Sequence, residues 1–381
     1  MDRMNLVAPC HFGLEAVLKR EIYDLGYDVT KTSDGRVMFE GDAEAVVLAN
    51  IRLRTAERIL IEVGSFHAET FDEFFEGIRS LSWEQFLPAD AKFWVTKVST
   101  VKSKLYSARD LQSLAKKAMV ERLKEKLSVN RFEETGASYP VRIFLMKDEV
   151  TVGLDTTGVP LHKRGYRALT AKAPISETLA AALLGLTPWK EGRLLADPFC
   201  GSGTFLIEAA MQAAHIAPGL AREYTAENWR NIIPAPAWKE ARKEAEAEIV
   251  KPGRHLLVGI DIDPEMIAKA KKNAKAAGVA DYIDFHVSDV KDFYVDGSYG
   301  FLLTNPPYGE RLSGEKELPA LYGALGRAFD RLDKWSLYVI TSYADAPRQI
   351  GRKADKNRKL YNGMVRTYFY SFAGPKPERN I

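Results

Sequence analysis

The chain has little from which to build covalent or metal-based stability. Its 381 residues include only two cysteines, Cys10 and Cys200, which excludes a disulfide framework or a cysteine zinc cluster and fits a reducing cytoplasm. The six histidines are scattered without ligand spacing, so no metal centre is expected. No apolar run approaches the roughly 18 residues needed to cross a bilayer. The opening MDRMNLVAPCHFGLEAVLKREI is amphipathic and carries acids early, unlike a signal peptide. Low-complexity tracts and internal repeats are missing too. With a net charge of only +3, any basic surface has to come from local clustering. What remains is an ordinary globular composition, 46% hydrophobic and 28% charged, at a length that suits two or three domains.

The first part alternates element types. MNLVAPC reads as a strand, FGLEAVLKREIYDLGY as a helix, DGRVMFEG as a strand, and DAEAVVLANIRLRTAERIL as a helix opened by Asp42. This order suggests a small ferredoxin-like α+β unit. A strand at 92–100, the basic helix ARDLQSLAKKAMVERLKEKL and two strands joined at Lys147-Asp148 follow. From LTAKAPISETLAAALL onward, with Ser176 as N-cap, strands and helices alternate: LLADPF, HLLVGIDID, YIDFHVSDV, GFLLTNPPY and WSLYVITS are the strands. That rhythm predicts a parallel, doubly wound sheet. KLYNGMVRTYFYSF, with its Asn362-Gly363, predicts a closing antiparallel hairpin.

In such a sheet the ligand sits beyond the carboxyl ends of the strands, so the polar residues there carry the chemistry. The first strand ends in DPFCGSGT, where Gly201 and Gly203 permit a tight turn and Thr204 opens a helix. Leu206 replaces the third glycine of a dinucleotide fingerprint. The second ends in GIDID: Asp261 is placed to accept ribose hydroxyls, while Asp263 suits an N-cap before Pro264. The third ends in VSDV, where Asp289 can accept from an adenine amino group. The fourth ends in TNPPYGERL. There the Asn305 side-chain carbonyl and the Pro306 main-chain carbonyl can accept the hydrogens of an exocyclic amine as its nitrogen attacks an electrophilic methyl. Pro306 and Pro307 stiffen the turn, and Tyr308 can stack on the base. Cys200 reads as a small packed side chain rather than a nucleophile.

DPFCGSGT followed by NPPYGERL resembles class I S-adenosylmethionine-dependent methyltransferases acting on exocyclic amines. With HKRGYR at 162–167 and APISETLAAALL, nearly the whole chain resembles the THUMP-domain RNA methyltransferases, the RlmL/YpsC-like bacterial group. The resemblance implies a Rossmann-like domain at 166–381 with a seven-stranded, mostly parallel sheet. It also implies a ferredoxin-like domain at 1–62 and a THUMP RNA-binding domain at 63–165. It implies S-adenosyl-L-methionine held by Asp197, Pro198, Gly201, Gly203, Thr204, Asp261, Ile262, Asp289 and Asn305. The catalytic loop is then Asn305, Pro306, Pro307 and Tyr308. Guanine-N2 methylation of RNA, specifically 23S ribosomal RNA, is the implied reaction. The same tetrapeptide serves adenine-N6 enzymes, so it marks an amine acceptor and not one base.

Basic clusters offer a grip for RNA: Lys102 and Lys104, then Lys163, Arg164, Tyr166 and Arg167, and the run GRKADKNRK at 351–359. Competing readings are a tRNA guanine-N2 methyltransferase, an adenine-N6 nucleic-acid methyltransferase, a dinucleotide oxidoreductase and a non-catalytic RNA-binding protein. The missing third glycine and the long spacing from Gly203 to Asp261 count against the oxidoreductase, and the intact Asn305 loop against the non-catalytic protein.

Overall fold

The computed structural model describes residues 3–129, 131–167, 175–252, 256–307, 317–363 and 365–377. They form two units. The first comprises Met1–Cys10, Lys19–Leu161 and Arg222–Glu244; the second comprises His11–Leu18, His162–Ala221 and Ala245–Ile381.

The first unit is built on strands β1 (Met4–Pro9), β2 (Val29–Ser33), β3 (Arg36–Gly41), β4 (Leu60–His67), β5 (Lys92–Val101), β6 (Ser138–Met146) and β7 (Glu149–Asp155). Its helices are α1 (Glu15–Asp24, whose first turn belongs to the second unit), α2 (Ala43–Arg52), α3 (Phe71–Ser80) and α4 (Ala108–Leu127). One seven-stranded sheet, in the order β2-β3-β1-β4-β7-β6-β5, runs through all of it, because β4 pairs with β1 on one side and β7 on the other. The single helix expected after Asp42 stops at Arg52. Leu53 turns extended, although its amide still reaches the Ala49 carbonyl. Lys147 and Asp148 take the positive φ values, 55° and 65°, that a two-residue hairpin requires.

Residues 222–244, which separate two strand–helix repeats in sequence, complete this first unit. Trp229 is fully buried, stacks on Tyr139 at 4.7 Å and 15°, and donates its indole N–H to the Ser138 carbonyl at 2.8 Å. The Tyr139 hydroxyl donates to Asn231 Oδ1 at 2.7 Å. Helix α7 (Ala237–Ala247) follows.

The second unit contains α5 (Glu177–Leu186), β8 (Leu195–Asp197), α6 (Thr204–Ala213), β9 (Leu257–Asp261), α8 (Pro264–Ala276), β10 (Ile283–Val287) and β11 (Phe301–Thr304). It continues with α9 (Leu318–Asp330), β12 (Ser336–Thr341), α10 (Ala346–Ile350), β13 (Lys356–Asn362) and β14 (Val365–Phe372). The strand order is β10-β9-β8-β11-β12-β14-β13, parallel from β10 to β12, with β14 antiparallel to both β12 and β13. Two apolar layers cover the sheet. Leu179, Leu183, Phe205, Leu206 and Phe285 belong to one; Tyr322, Leu325, Phe329 and Trp335 belong to the other. Asp263 caps α8 ahead of Pro264, as the sequence pattern suggested.

Gly259 in β9 sets how closely α6 approaches the sheet. A Cβ there would lie 2.7 Å from both Leu206 Cδ1 and Phe285 Cδ1. Gly259→Ala should therefore cost about 1–3 kcal/mol by overpacking. Urea unfolding monitored by far-ultraviolet circular dichroism should show an earlier midpoint for this variant.

Candidate active site

The strand ends converge as the alternating pattern requires. Pairing sets Asp197 level with Gly259 and Thr304 level with Val339, so β8, β9, β11 and β12 all point their carboxyl ends the same way. A buried polar contact at that edge joins β8 to β11: the Thr304 hydroxyl donates to Asp197 Oδ1 at 2.6 Å. The Phe199 amide donates to the same oxygen at 3.1 Å. Burial pushes the Asp197 carboxyl up to about 7 despite these two donors, and the nearby Asp261 charge pushes the same way.

The turn that follows divides its labour between two glycines. Gly203 has φ +85°, and a Cβ on it would sit 3.0 Å from the Phe285 ring and 3.2 Å from Ala270, so this glycine is demanded by packing. Gly201 has φ +50°, and a Cβ added to it would meet nothing within 4 Å, so this glycine leaves open space above the backbone. Cys200, immediately before Gly201, is buried. Burial and then the two aspartates push its thiol well above the ordinary value, which fits an inert packed side chain.

Asp261 is half-buried at the end of β9. Its Oδ2 accepts the Gly201 amide at 3.0 Å and its Oδ1 accepts the Asp263 amide at 3.0 Å. Each carboxylate oxygen thus holds one backbone donor and retains a lone pair for a ligand hydroxyl. Burial raises its pKa, opposed by those amides. Ile262 beside it is 68% exposed, an apolar face at the crevice edge. Asp289 is engaged locally: its Oδ1 accepts the Lys291 amide at 3.0 Å and its Oδ2 lies 3.2 Å from Lys291 Nζ. The amide bond, above all, lowers its pKa.

Asn305 follows Thr304 directly. Its Oδ1 is buried and has no hydrogen-bond partner among the described residues. Buried acceptors of this kind are costly to leave unmade. Pro306 is buried and Pro307 half-buried; Tyr308 lies outside the described residues. A group carrying a ribose and an amine-bearing base fits these features, since open space lies over Gly201, lone pairs remain on Asp261, and Asn305 presents an unsatisfied acceptor. No group of three metal-binding side chains occurs among the described residues.

One expectation needs correction. Arg164, Tyr166 and Arg167 are not a surface for phosphate. Arg164 and Tyr166 are 5% and 4% exposed; Arg164 Nε lies 3.5 Å from Glu208 Oε1, and the Tyr166 hydroxyl donates to that oxygen at 3.0 Å. Arg167 donates from Nη2 to Thr204 Oγ1 at 2.5 Å and to the Ile175 carbonyl at 3.0 Å, and its Nε lies 3.4 Å from Glu177. Burying charge this way requires pairing, and the pairing fixes the first turn of α6. Thr204 is accordingly occupied by Arg167. Glu208, the lone charge in the apolar helix TFLIEAAMQAA, was the overlooked signal. Lys163, Lys102 and Lys104 are exposed, the last paired with Glu69.

This strand order, with a glycine turn after β8, a carboxylate after β9 and Asn-Pro-Pro after β11, defines a Rossmann-like class I methyltransferase. Sequence comparison then places the chain within a family. Residues 164–370 match the RMKL-like methyltransferase domain, residues 5–60 the RlmL ferredoxin-like domain, and residues 68–155 the THUMP domain. The chain is 45% identical over its full length to YpsC of Bacillus subtilis (strain 168), covering 98% of that protein, whose assignment as an RNA methyltransferase is provisional. A Listeria monocytogenes structure, provisionally assigned as an N6-adenine-specific DNA methylase, is 46% identical with a TM-score of 0.90, covering 98% of this chain and 97% of that one. SMU.472, provisionally a methyltransferase and solved with SAH, is 40% identical with a TM-score of 0.91, covering 99% of this chain and all of that one. The chain belongs to the RMKL-like methyltransferase family, and S-adenosyl-L-methionine is its cofactor.

The buried Asp197 has a consequence for stability. In an unfolded chain this carboxyl ionises near pH ~4, whereas in the folded ligand-free protein it holds its proton up to about 7. Its favourable contribution is complete below the unfolded value and is lost as pH rises through about 7. Asp197→Asn keeps an oxygen for Thr304 and Phe199. It should gain stability relative to wild type by up to roughly 4 kcal/mol between about pH 4 and about pH 8. Urea midpoints measured across that range check it.

Proposed function

We propose that the chain transfers the methyl group of S-adenosyl-L-methionine to the exocyclic N2 amine of a guanine in RNA, with 23S ribosomal RNA as the substrate. The observation that carries the amine chemistry is the Asn305 Oδ1 just past β11, buried and without a hydrogen-bond partner among the described residues. The THUMP match at residues 68–155 and the provisional assignment of YpsC support RNA over DNA.

When bound, the cofactor supplies a methyl group on a positively charged sulfur. The chain supplies the rest. Asp261 would hold the ribose hydroxyls, and the open space at Gly201 would take the amino-acid tail. Ile262, exposed at the crevice edge, would hold the adenine by apolar contact. Asp289, whose Oδ2 lies beside Lys291 Nζ, would accept from the adenine amino group. A guanine amine is a poor nucleophile because its lone pair is spread into the ring. Asn305 Oδ1 and the Pro306 carbonyl accept its two hydrogens, which draws the nitrogen out of conjugation and favours the positive charge that develops on it. After transfer, the surplus proton leaves to water.

Labelled cofactor incubated with separated rRNA, tRNA and DNA, followed by nucleoside analysis, tests the substrate. The expected product is N2-methylguanosine in 23S rRNA. N6-methyladenosine in DNA would instead match the assignment given to the Listeria protein and overturn the base and polymer while retaining the amine chemistry.

Asn305→Ala should lower kcat by about 10²–10³ while leaving cofactor affinity within a few fold, because it removes an interaction made to the reacting amine. Asp261→Ala should do the reverse at the binding step, weakening S-adenosylhomocysteine by about 10–100-fold in calorimetry. Undiminished turnover in the first variant would defeat the proposed mechanism.

A further inference from the structure

The last hairpin of the sheet extends past the active-site edge. Thr304 pairs in level with Val339, Val339 with Tyr370, and Tyr370 with Asn357, so these residues form one row across β11, β12, β14 and β13. The hairpin continues beyond that row in the direction in which β11 leads to Asn305. Lys359 and Tyr368 face each other two residues further along, and Tyr361 and Arg366 four residues further. At about 3.3 Å per residue these pairs stand roughly 7 and 13 Å beyond the Thr304 row. Two strand spacings, roughly 10 Å, separate β14 from β11.

Because directly opposed residues share a face, Lys359, Tyr361, Arg366 and Tyr368 lie together on one side of the hairpin. Cation and aromatic alternate there in both directions. Lys359 and Arg366 are exposed, Tyr361 is 47% exposed, and the Arg366 guanidinium carbon lies 5.8 Å from the Tyr368 ring centroid. Tyr368 in turn stacks on Tyr370 at 5.7 Å, and the Tyr370 hydroxyl donates to the Ala344 carbonyl at 3.2 Å, which anchors the row. Between Gly351 and Phe372 the chain carries Arg352, Lys353, Lys356, Arg358, Lys359 and Arg366 against a single carboxylate, Asp355. Asp355 is turned back to accept the Ala373 amide at 2.7 Å.

We propose that this hairpin face is the platform that holds single-stranded RNA flanking the target nucleotide, an inference that rests on the RNA reading above. The two cations neutralise phosphates, and Tyr361, with its ring exposed, stacks an unpaired base. Side-chain rings receive bases only where the strand is not already stacked in a duplex, which selects single-stranded RNA. Lysines on an edge strand also discourage edge-to-edge pairing, but that task needs no aromatic side chains among them.

Fluorescence anisotropy with the full chain tests this, using a mixed-sequence single-stranded RNA 20-mer, a blunt duplex of the same sequence and a series of KCl concentrations. Lys359→Ala with Arg366→Ala should weaken single-strand binding about tenfold and lower the salt slope by about 1.4, from ~0.7 per phosphate contact. Tyr361→Ala should weaken it about tenfold with the slope unchanged. Duplex binding should change less than twofold in all of them, and Lys271→Ala, an exposed change on α8, should match wild type. Should the alanine pair lose thermal stability, Lys359→Gln with Arg366→Gln retains the packed stems and gives the same reading. Wild-type affinity and slope in these variants would overturn the platform while leaving RNA as the substrate. Concentration-dependent self-association alongside that result would assign the cations to edge protection. A wild-type chain that binds neither RNA at low salt would overturn the RNA reading itself.

Discussion

The Thr304–Asp197 hydrogen bond is the contact on which the rest of the site depends. It is short, fully buried, and ties the end of β8 to the end of β11. Asp197 passes the constraint on to the Phe199 amide and so to the turn that exposes Gly201; Thr304 passes it on to Asn305, its neighbour in the chain. A parallel sheet sets strand spacing but leaves the loops beyond the strand ends free. A side-chain bond at that edge removes the freedom between the glycine turn and Asn305. In a medium of low dielectric such a bond is stronger than in water, and losing either partner leaves an unsatisfied polar group.

Behind the glycine turn, a second layer of polar contacts fixes its other side. Arg167 joins Thr204, the Ile175 carbonyl and Glu177; Arg164 and Tyr166 converge on Glu208 one turn further along α6. Despite its burial, which pulls the other way, Glu208 and its neighbours hold the Arg164 guanidinium above its ordinary pKa, so it stays charged. Charges this deeply placed contribute little net stability against well-packed apolar groups, but they restrict geometry to one arrangement. Here the arrangement that is selected is the start of a helix next to the glycine turn.

The second unit was legible because its central strands β8, β11 and β12 are buried throughout and its strand runs are followed by Asp, Gly or Pro, signals that are local in sequence. Asp263 as a cap, the turn at Lys147-Asp148 and the hairpin near Gly363 follow from the same local chemistry. The hairpin turn itself begins at Gly363, with Asn362 paired to Val365. Strand β2 escaped notice because VTKTS is largely exposed and lacks apolar alternation. The motif HKRGYR looked like a surface because side-chain type says nothing of burial; its partners, Glu177 and Glu208, lie 10 and more residues away in sequence. Thr304 was hidden for the same reason, since its hydroxyl gains meaning only from a carboxylate on another strand.

Trp229 bears on the order in which the polypeptide is made. The first unit takes its stack against Tyr139 from a stretch that emerges only after β8 and α6 of the second unit have been synthesised. At ~5–20 residues per second, the Tyr139 face waits several seconds on the ribosome for its cover. The two units are therefore interleaved in time as well as in sequence. A cut after Leu161, where the first long stretch of one unit ends, severs a fold and not a linker.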